Sequence, residues 1–400
     1  MKPFRNSLFV LGVLILLGSV SRAQIGFPDD KNGNGGGAGG GVLTRQIATN
    51  VSSGVISGIL TGAVPLQTGI VPPLVTNGTG QTCVCIPTGR CTSTPPSNDG
   101  SGMIDVRIVT SQTSSPIGPT PNIVTPSTCA SGLERCCYAG PYQCGLQYPP
   151  VAAAKAPGPG QASYGEYPWQ AVLLGPGDIY AGSGALVNAL NIITAAHRIT
   201  EYVSGSKVLK IRLGEWDASS ASEPIPAQEY TVTKFFVHPS YNSINLQNDI
   251  AILRLSSAVP LGTTPTITTA CLPATSFVGT TCWVSGWGKN DFVSGSYQAI
   301  QKEVDVAVKS SADCQTALRT TRLGSTFVLD STSFVCAGGE AGKDACTGDG
   351  GSPLVCSLGG RFFVVGLVAW GIGCGTSNIP GVYVNVASYV PWITSTLNSP

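Results

Sequence analysis

Attack on a carbonyl needs a proton acceptor, a group that orients it and an atom that attacks, and three short segments of this chain hold those residue types. Thr194-Ala-Ala-His197 carries one of only two histidines in 400 residues. The other, His238 in Val-His-Pro-Ser-Tyr, reads as a turn residue. Asn248-Asp249-Ile-Ala-Ile-Leu253 offers a carboxylate ahead of an apolar run. The third segment, Asp344-Ala-Cys-Thr-Gly-Asp-Gly-Gly-Ser-Pro-Leu-Val-Cys356, is a small-residue loop flanked by cysteines. A histidine can take the proton of a hydroxyl, and a carboxylate can hold the imidazole in the tautomer that does so.

In this order and at these intervals, the segments resemble the histidine, aspartate and nucleophile motifs of trypsin-like serine proteases. Trp283-Val-Ser-Gly-Trp-Gly288 and Ala369-Trp-Gly371 are further matches, and the resemblance runs over roughly residues 144 to 398. In that family the residue after Gly-Asp is the attacking serine; here it is Gly350. Glycine supplies no atom for an acyl-enzyme, and losing the nucleophile of such a triad costs on the order of a millionfold in turnover. Ser352 is the nearest hydroxyl, two residues on. Extended chain advances about 3.3–3.6 Å per residue, and the hydroxyl must come within about 3 Å of the histidine nitrogen. With Cys346 and Cys356 pinning the loop ends, a slip of two residues is not expected. An active protease with a displaced serine is the rival reading.

Two more departures accompany the first. Where the family places a disulfide beside the histidine, this chain has Gly182 and Arg198. The resemblance pairs the other cysteines as Cys144–Cys271, Cys282–Cys356, Cys314–Cys336 and Cys346–Cys374. Active members also free an Ile-Val-Gly-Gly terminus whose amino group pairs with the aspartate before the serine. Counting back from Gly165, this chain offers only Lys155-Ala-Pro-Gly-Pro-Gly. Asp349 is therefore expected to lack its ion pair, with a zymogen-like oxyanion region around Gly348. His197 and Asp249 are expected to persist as a satisfied buried polar pair.

Asp344 stands where the resemblance places the acid of an Arg/Lys-binding pocket, with Gly371 and Gly381 as walls. An unpaired buried carboxylate is costly, so either a partner's basic side chain answers Asp344 or water holds a remnant. Glu215, Asp217, Glu223 and Glu229 fall where some family members bind calcium. Oxygen ligands suit that ion, and a structural calcium at Glu215 and Glu229 is weighed against an ordinary solvated acidic surface. No other cofactor is expected.

A rigid frame must hold these groups. Short β-prone segments recur between Gly and Pro turns, at 172–174, 184–187, 192–195, 208–213, 250–255, 283–286, 362–368 and 381–386, and read as an all-β sandwich or barrel. The resemblance narrows this to a double antiparallel β-barrel over 164–400. Tyr389, Trp392 and Ile393 at helical spacing make 386–397 the best helix.

Ahead of that frame, Cys83, Cys85, Cys91, Cys129, Cys136 and Cys137 run as C-x-C-x5-C, a long loop, then C-x6-C-C. Six cysteines allow fifteen pairings, and a unit so poor in large apolar residues needs its bridges. The order resembles the clip domain found before protease domains in arthropod blood; an unrelated disulfide knot is the alternative. The resemblance implies Cys83–Cys136, Cys85–Cys129 and Cys91–Cys137, a clip domain at 83–137 and a linker at 138–163. Arg107 is the only basic residue between Cys91 and Cys129, and Arg107-Ile108-Val109 reads as a cut site for a trypsin-like enzyme. The plainer reading is an ordinary strand residue. The bridges would keep the cut pieces joined.

Composition bounds the rest. Only 11% of residues are charged, against about 25% in ordinary globular chains. With a net charge of +1, nothing asks for nucleic acid or an acidic membrane surface. Lys2, Arg5, an apolar run over 8–17 and Ser21-Arg22-Ala23 read as a signal peptide at 1–23, cut to leave Gln24. That run is too short to span a bilayer, which takes about 20 residues. Fourteen cysteines then point to an oxidising, extracellular compartment. Residues 24–82 read as a Gly-rich linker that cannot offset its own ordering entropy, with glycosylation sequons at Asn50 and Asn77.

Taken together, the resemblance implies a clip-domain serine protease homologue of arthropod haemolymph, secreted and non-catalytic. Cut at Arg107-Ile108 by an upstream clip-domain protease, it would act as a cofactor in prophenoloxidase activation and melanisation, and could associate with its own copies once cut. A pattern-recognition or adhesion protein that binds microbial surfaces without cleavage is the alternative.

Overall fold

The computed structural model describes residues 24–28, 81–88, 129, 131–139, 143–148, 156–220, 223–291 and 295–399. The signal segment 1–23, Asn50, Asn77, Cys91 and the Arg107-Ile108 bond lie outside the described residues.

Strands β1 (Gln81–Pro87) and β2 (Leu133–Ala139) pair antiparallel, setting Cys83 opposite Cys137 and Val84 opposite Cys136. The amide of Cys85 donates to Gly262 O at 3.0 Å, which seats this hairpin on the larger domain. The first barrel is built from β3 (Gln170–Leu174), β4 (Tyr180–Asn188), β5 (Asn191–Thr194), β6 (Lys210–Leu213), β7 (Gln228–Val237) and β8 (Ala251–Leu255). It closes in the order β3-β4-β5-β8-β7-β6. The second contains β9 (Thr281–Gly286), β10 (Lys302–Lys309), β11 (Phe334–Gly338), β12 (Pro353–Leu358), β13 (Arg361–Trp370) and β14 (Pro380–Asn385), closed as β10-β11-β14-β13-β12-β9. The helix α1 (Ser311–Arg319) sits between β10 and β11, and α2 (Val386–Leu397) follows β14.

The fold is all-β, and its apolar strands are two-faced. Along β5, Ile192 joins the interior of the first barrel with Leu186, Ala251 and Leu253. Its neighbour Ile193 faces the other way, packing with Ala185 and Ile252 against Val355, Val364 and Leu367 of the second barrel. Side chains alternate along a strand, so a run that is apolar at every position welds one barrel to the next. Each large side chain so enclosed contributes about 1.5–3 kcal/mol.

Helix α2 buries Val386, Tyr389 and Ile393 on one face. From that face the Tyr389 hydroxyl donates to Asn248 Oδ1 at 3.0 Å, bracing the loop before β8. No described helix is long and apolar enough to cross a membrane.

Candidate functional site

Thr194 pairs with Ala251 across β5 and β8, so the segments that leave these strand ends run side by side. One turns through a short 3-10 segment, Ala196–Arg198, and presents His197. The other passes Asn248, at φ 56°, and delivers Asp249. His197 Nδ1 lies 2.6 Å from Asp249 Oδ2, and the His197 amide donates to Oδ1 at 2.8 Å. Asp249 is wholly buried, while the imidazole keeps 23% of its surface. An oriented proton acceptor is therefore in place. Gly350 is what faces it: a Cβ added there would fall 2.7 Å from His197 Nε2. Ser352 is wholly buried and turned toward Gly286, where an added Cβ would meet its Oγ at 2.9 Å. That hydroxyl has no hydrogen-bond partner, and the residue does not line the cleft.

Arg198 takes a position the sequence did not announce. Its Nε donates to Ala181 O at 2.6 Å, so the side chain runs back across β4. A Cβ on Gly182 would meet that Nε at 2.8 Å, and one on Gly350 would meet Arg198 Cδ at 2.7 Å. The arginine stem lies across the place where any side chain at 350 would begin. Gly182 and Gly350 both make room for it.

Beside Gly350, Asp349 accepts hydrogen bonds from the amides of Gly288 (2.8 Å) and Cys346 (3.0 Å). Among the described ion pairs none includes Asp349. Burial pushes its carboxyl up to about 6, against the pull of those two amides and of the Arg198 charge. Gly348 sits at φ 97°, its carbonyl accepting from the Tyr180 hydroxyl at 3.1 Å.

His197, Asp344, Gly348, Gly350, Gly371 and Gly381 line a single cavity of ≈ 200 Å³. At its base Asp344 Oδ2 accepts from the Gly375 amide at 3.2 Å. Asp344 Oδ1 and the Tyr383 hydroxyl are shut away from solvent without a hydrogen-bond partner. A Cβ on Gly381 would meet Asp344 Oδ1 at 2.7 Å, so only a bare glycine fits against the acid. Burial lifts the Asp344 carboxyl from 3.8 to about 6, partly countered by the Gly375 and Ala345 amides.

The folded pKa of Asp344 thus exceeds the unfolded one, so its contribution to stability is full below about pH 4 and lost as pH rises through about 6. Asp344→Asn removes that loss. The melting temperature of the variant should fall less than the parent's between pH 5 and 7.5. The difference should be about 2–6 °C, allowing for partial solvent screening. Equal slopes in the two proteins would show that the acid is solvated.

Arg212, on β6 and only 3% exposed, lies between the two acids expected to hold calcium. Its Nη1 is 3.1 Å from Glu215 and its Nη2 2.6 Å from Glu229. Burial, with Glu223 alongside, raises the Glu215 carboxyl to about 8 against the pull of Arg212. A guanidinium occupies the space that a metal would need between this pair. No group of three or more metal-ligating side chains forms among the described residues.

Five disulfides close there: Cys85–Cys129, Cys144–Cys271, Cys282–Cys356, Cys314–Cys336 and Cys346–Cys374. The first and third bridges of the clip pattern, Cys83–Cys136 and Cys91–Cys137, fall on side chains outside the described ones. Cys346–Cys374 and Cys282–Cys356 hold both ends of the loop that carries Gly350. His238 lies in a turn between the rings of Tyr389 and Trp392, away from the cleft.

Comparison with known proteins agrees with this geometry. The family model described as Trypsin matches residues 158–393, and that described as Serine protease Clip domain PPAF-2 matches residues 72–138. An Aedes aegypti protein, Inactive CLIP domain-containing serine protease A3, is 80% identical over 403 residues, covering 100% of this chain and 85% of its own. Phenoloxidase-activating factor 2 of Galleria mellonella is 44% identical over 58% of this chain and 81% of its own length. Inactive CLIP domain-containing serine protease A8 of Anopheles gambiae is 36% identical over 64% and 72%.

Proposed function

Since the chain belongs to the trypsin family, as an inactive clip-domain serine protease homologue, we propose that it is a secreted, non-catalytic cofactor in an extracellular proteolytic cascade. One observation carries this reading: a correctly oriented His197–Asp249 pair faces Gly350, which has no side chain and is overlain by Arg198. Such a cleft keeps the loops and rigidity of a protease without the attacking atom. What it retains is shape, and loops on a rigid barrel make good binding surfaces.

The similarity to phenoloxidase-activating factor 2 supports prophenoloxidase activation as the cascade, with prophenoloxidase and clip-domain proteases as partners. In this reading a clip protease cuts Arg107-Ile108, and the cut protein acts on its partners. The apolar leader at 1–23 and the wealth of cysteine support secretion. Between Glu215 and Glu229 the cation is Arg212.

Treatment of the secreted protein with a trypsin-like clip protease tests the proposal. The expected outcome is a new amino terminus at Ile108 and a several-fold rise in prophenoloxidase activation, both absent in Arg107→Ala. Stimulation that is equal before and after cutting would overturn the cleavage step. Retention on glucan or peptidoglycan regardless of cutting, with no stimulation, would replace the cofactor reading with surface recognition.

A further inference from the structure

The first described residues, 24–28, lie against the protease-like domain although residues 29–80 separate them from β1. The Ile25 amide donates to Ala218 O at 3.1 Å, the Gly26 amide to Asp178 O at 3.0 Å, and the Tyr180 amide to Gly26 O at 2.7 Å. Gln24 Nε2 donates to Ser219 O. Gly26 forms a parallel bridge with Ile179, so the segment adds a short strand beside the start of β4. Alternation does the rest. Ile25 and Phe27 both point inward, 6% and 9% exposed, into a cluster with Val172, Leu174, Tyr180 and Trp287. Phe27 stacks on Tyr297, centroids 5.0 Å apart and planes 10° apart, and tilts against Tyr180 at 5.7 Å.

The two rings that grip Phe27 are also the two that fix Gly348. The Tyr180 hydroxyl holds the Gly348 carbonyl. Tyr297 lies so close that a Cβ on Gly348 would meet its Cε1 at 2.5 Å. Whatever fills the groove therefore bears on the loop that lines the cleft, through one layer of aromatic side chains.

We propose that the groove between Tyr180, Trp287 and Tyr297 is a binding site for a short apolar strand, that residues 24–28 of the same molecule are its occupant, and that occupancy sets the 346–351 loop. Only a few residues dock, at the end of a long Gly-rich tether, so ordering entropy offsets much of the burial and the segment can be displaced. A Gly-rich chain of that length reaches roughly 40 Å, enough for docking within one molecule at a high local concentration. None of this depends on the cascade proposed above.

The test uses the full secreted chain and its Ile25→Ser/Phe27→Ser variant, with Phe27→Leu as the milder change. The probe is a fluorescent peptide, Gln-Ile-Gly-Phe-Pro-Asp-Asp, copied from residues 24–30. In the double variant, amide exchange over 346–351 should quicken about tenfold, peptide should bind saturably, and binding should restore protection. Phe27→Leu should fall between, and the parent should not take up peptide. Unchanged exchange in both variants, or equal peptide uptake by variant and parent, would overturn the proposal. So would a dimer of the parent that the double variant loses, since the occupant would then come from a second copy.

Discussion

Gly350→Ser should not restore a protease. Putting back the hydroxyl beside an intact His197–Asp249 pair looks sufficient, but the new Cβ would lie 2.7 Å from both Arg198 Cδ and His197 Nε2. The arginine cannot swing aside freely, because its Nε is bound to Ala181 O and its stem rests on Gly182. Overpacking of this kind costs about 1–3 kcal/mol. The single variant should unfold at lower denaturant, show no turnover of Arg or Lys peptide esters, and resist a fluorophosphonate probe. Adding Arg198→Ala opens the space. The double variant should recover most of the lost stability, with a coupling of about 1–2 kcal/mol in the mutant cycle, and should be the first form to take the label. Its turnover should stay far below that of an active relative, since Asp349 also loses the nearby Arg198 charge. Labelling of Gly350→Ser at the rate of the double variant would show that Arg198 is no obstacle. So would strictly additive stabilities.

That coupling marks the limit of what the chain discloses before it folds. The His197, Asp249 and Gly350 motifs are local strings, and the pairing of β5 with β8 only has to bring their ends together. The doubly buried strands are legible for the same reason, since 192–193 and 250–253 are apolar at every position. Strand β7, Gln228–Val237, escaped because it alternates: Tyr230 and Val232 face in while Thr231, Thr233 and Lys234 face water. Strand β10 hides likewise in Lys-Glu-Val-Asp-Val-Ala-Val-Lys. Along the sequence Arg198 marks a missing cysteine, a loss, whereas in the fold it is a filler. Its contacts join residues 181, 182 and 350, and no window on the sequence spans them. Ile25 and Phe27 carry a period-two signal, but two positions in a Gly-rich leader are too few to separate from chance.

Removing the histidine from a molecule that performs no catalysis should still be costly. Asp249 is wholly buried and both its oxygens are answered by His197, one by the ring and one by the amide. His197→Ala keeps the amide but strips Oδ2 of its partner, leaving a carboxylate in a closed site. Breaking a buried pair from one side typically costs about 3–5 kcal/mol. The ring is partly exposed and water can reach some of the vacated space, so about 2–3 kcal/mol is expected here. Asp249→Asn should cost less, because a neutral amide leaves no stranded charge, and in the His197→Ala background it should return part of the loss. Urea unfolding of the four proteins decides the matter. A His197→Ala loss under about 0.5 kcal/mol, the range of ordinary surface changes, would mean that the pair is idle. A loss of the expected size would explain why the proton relay outlives its reaction: the aspartate loop, braced by Tyr389 from α2, needs the histidine to close over its charge.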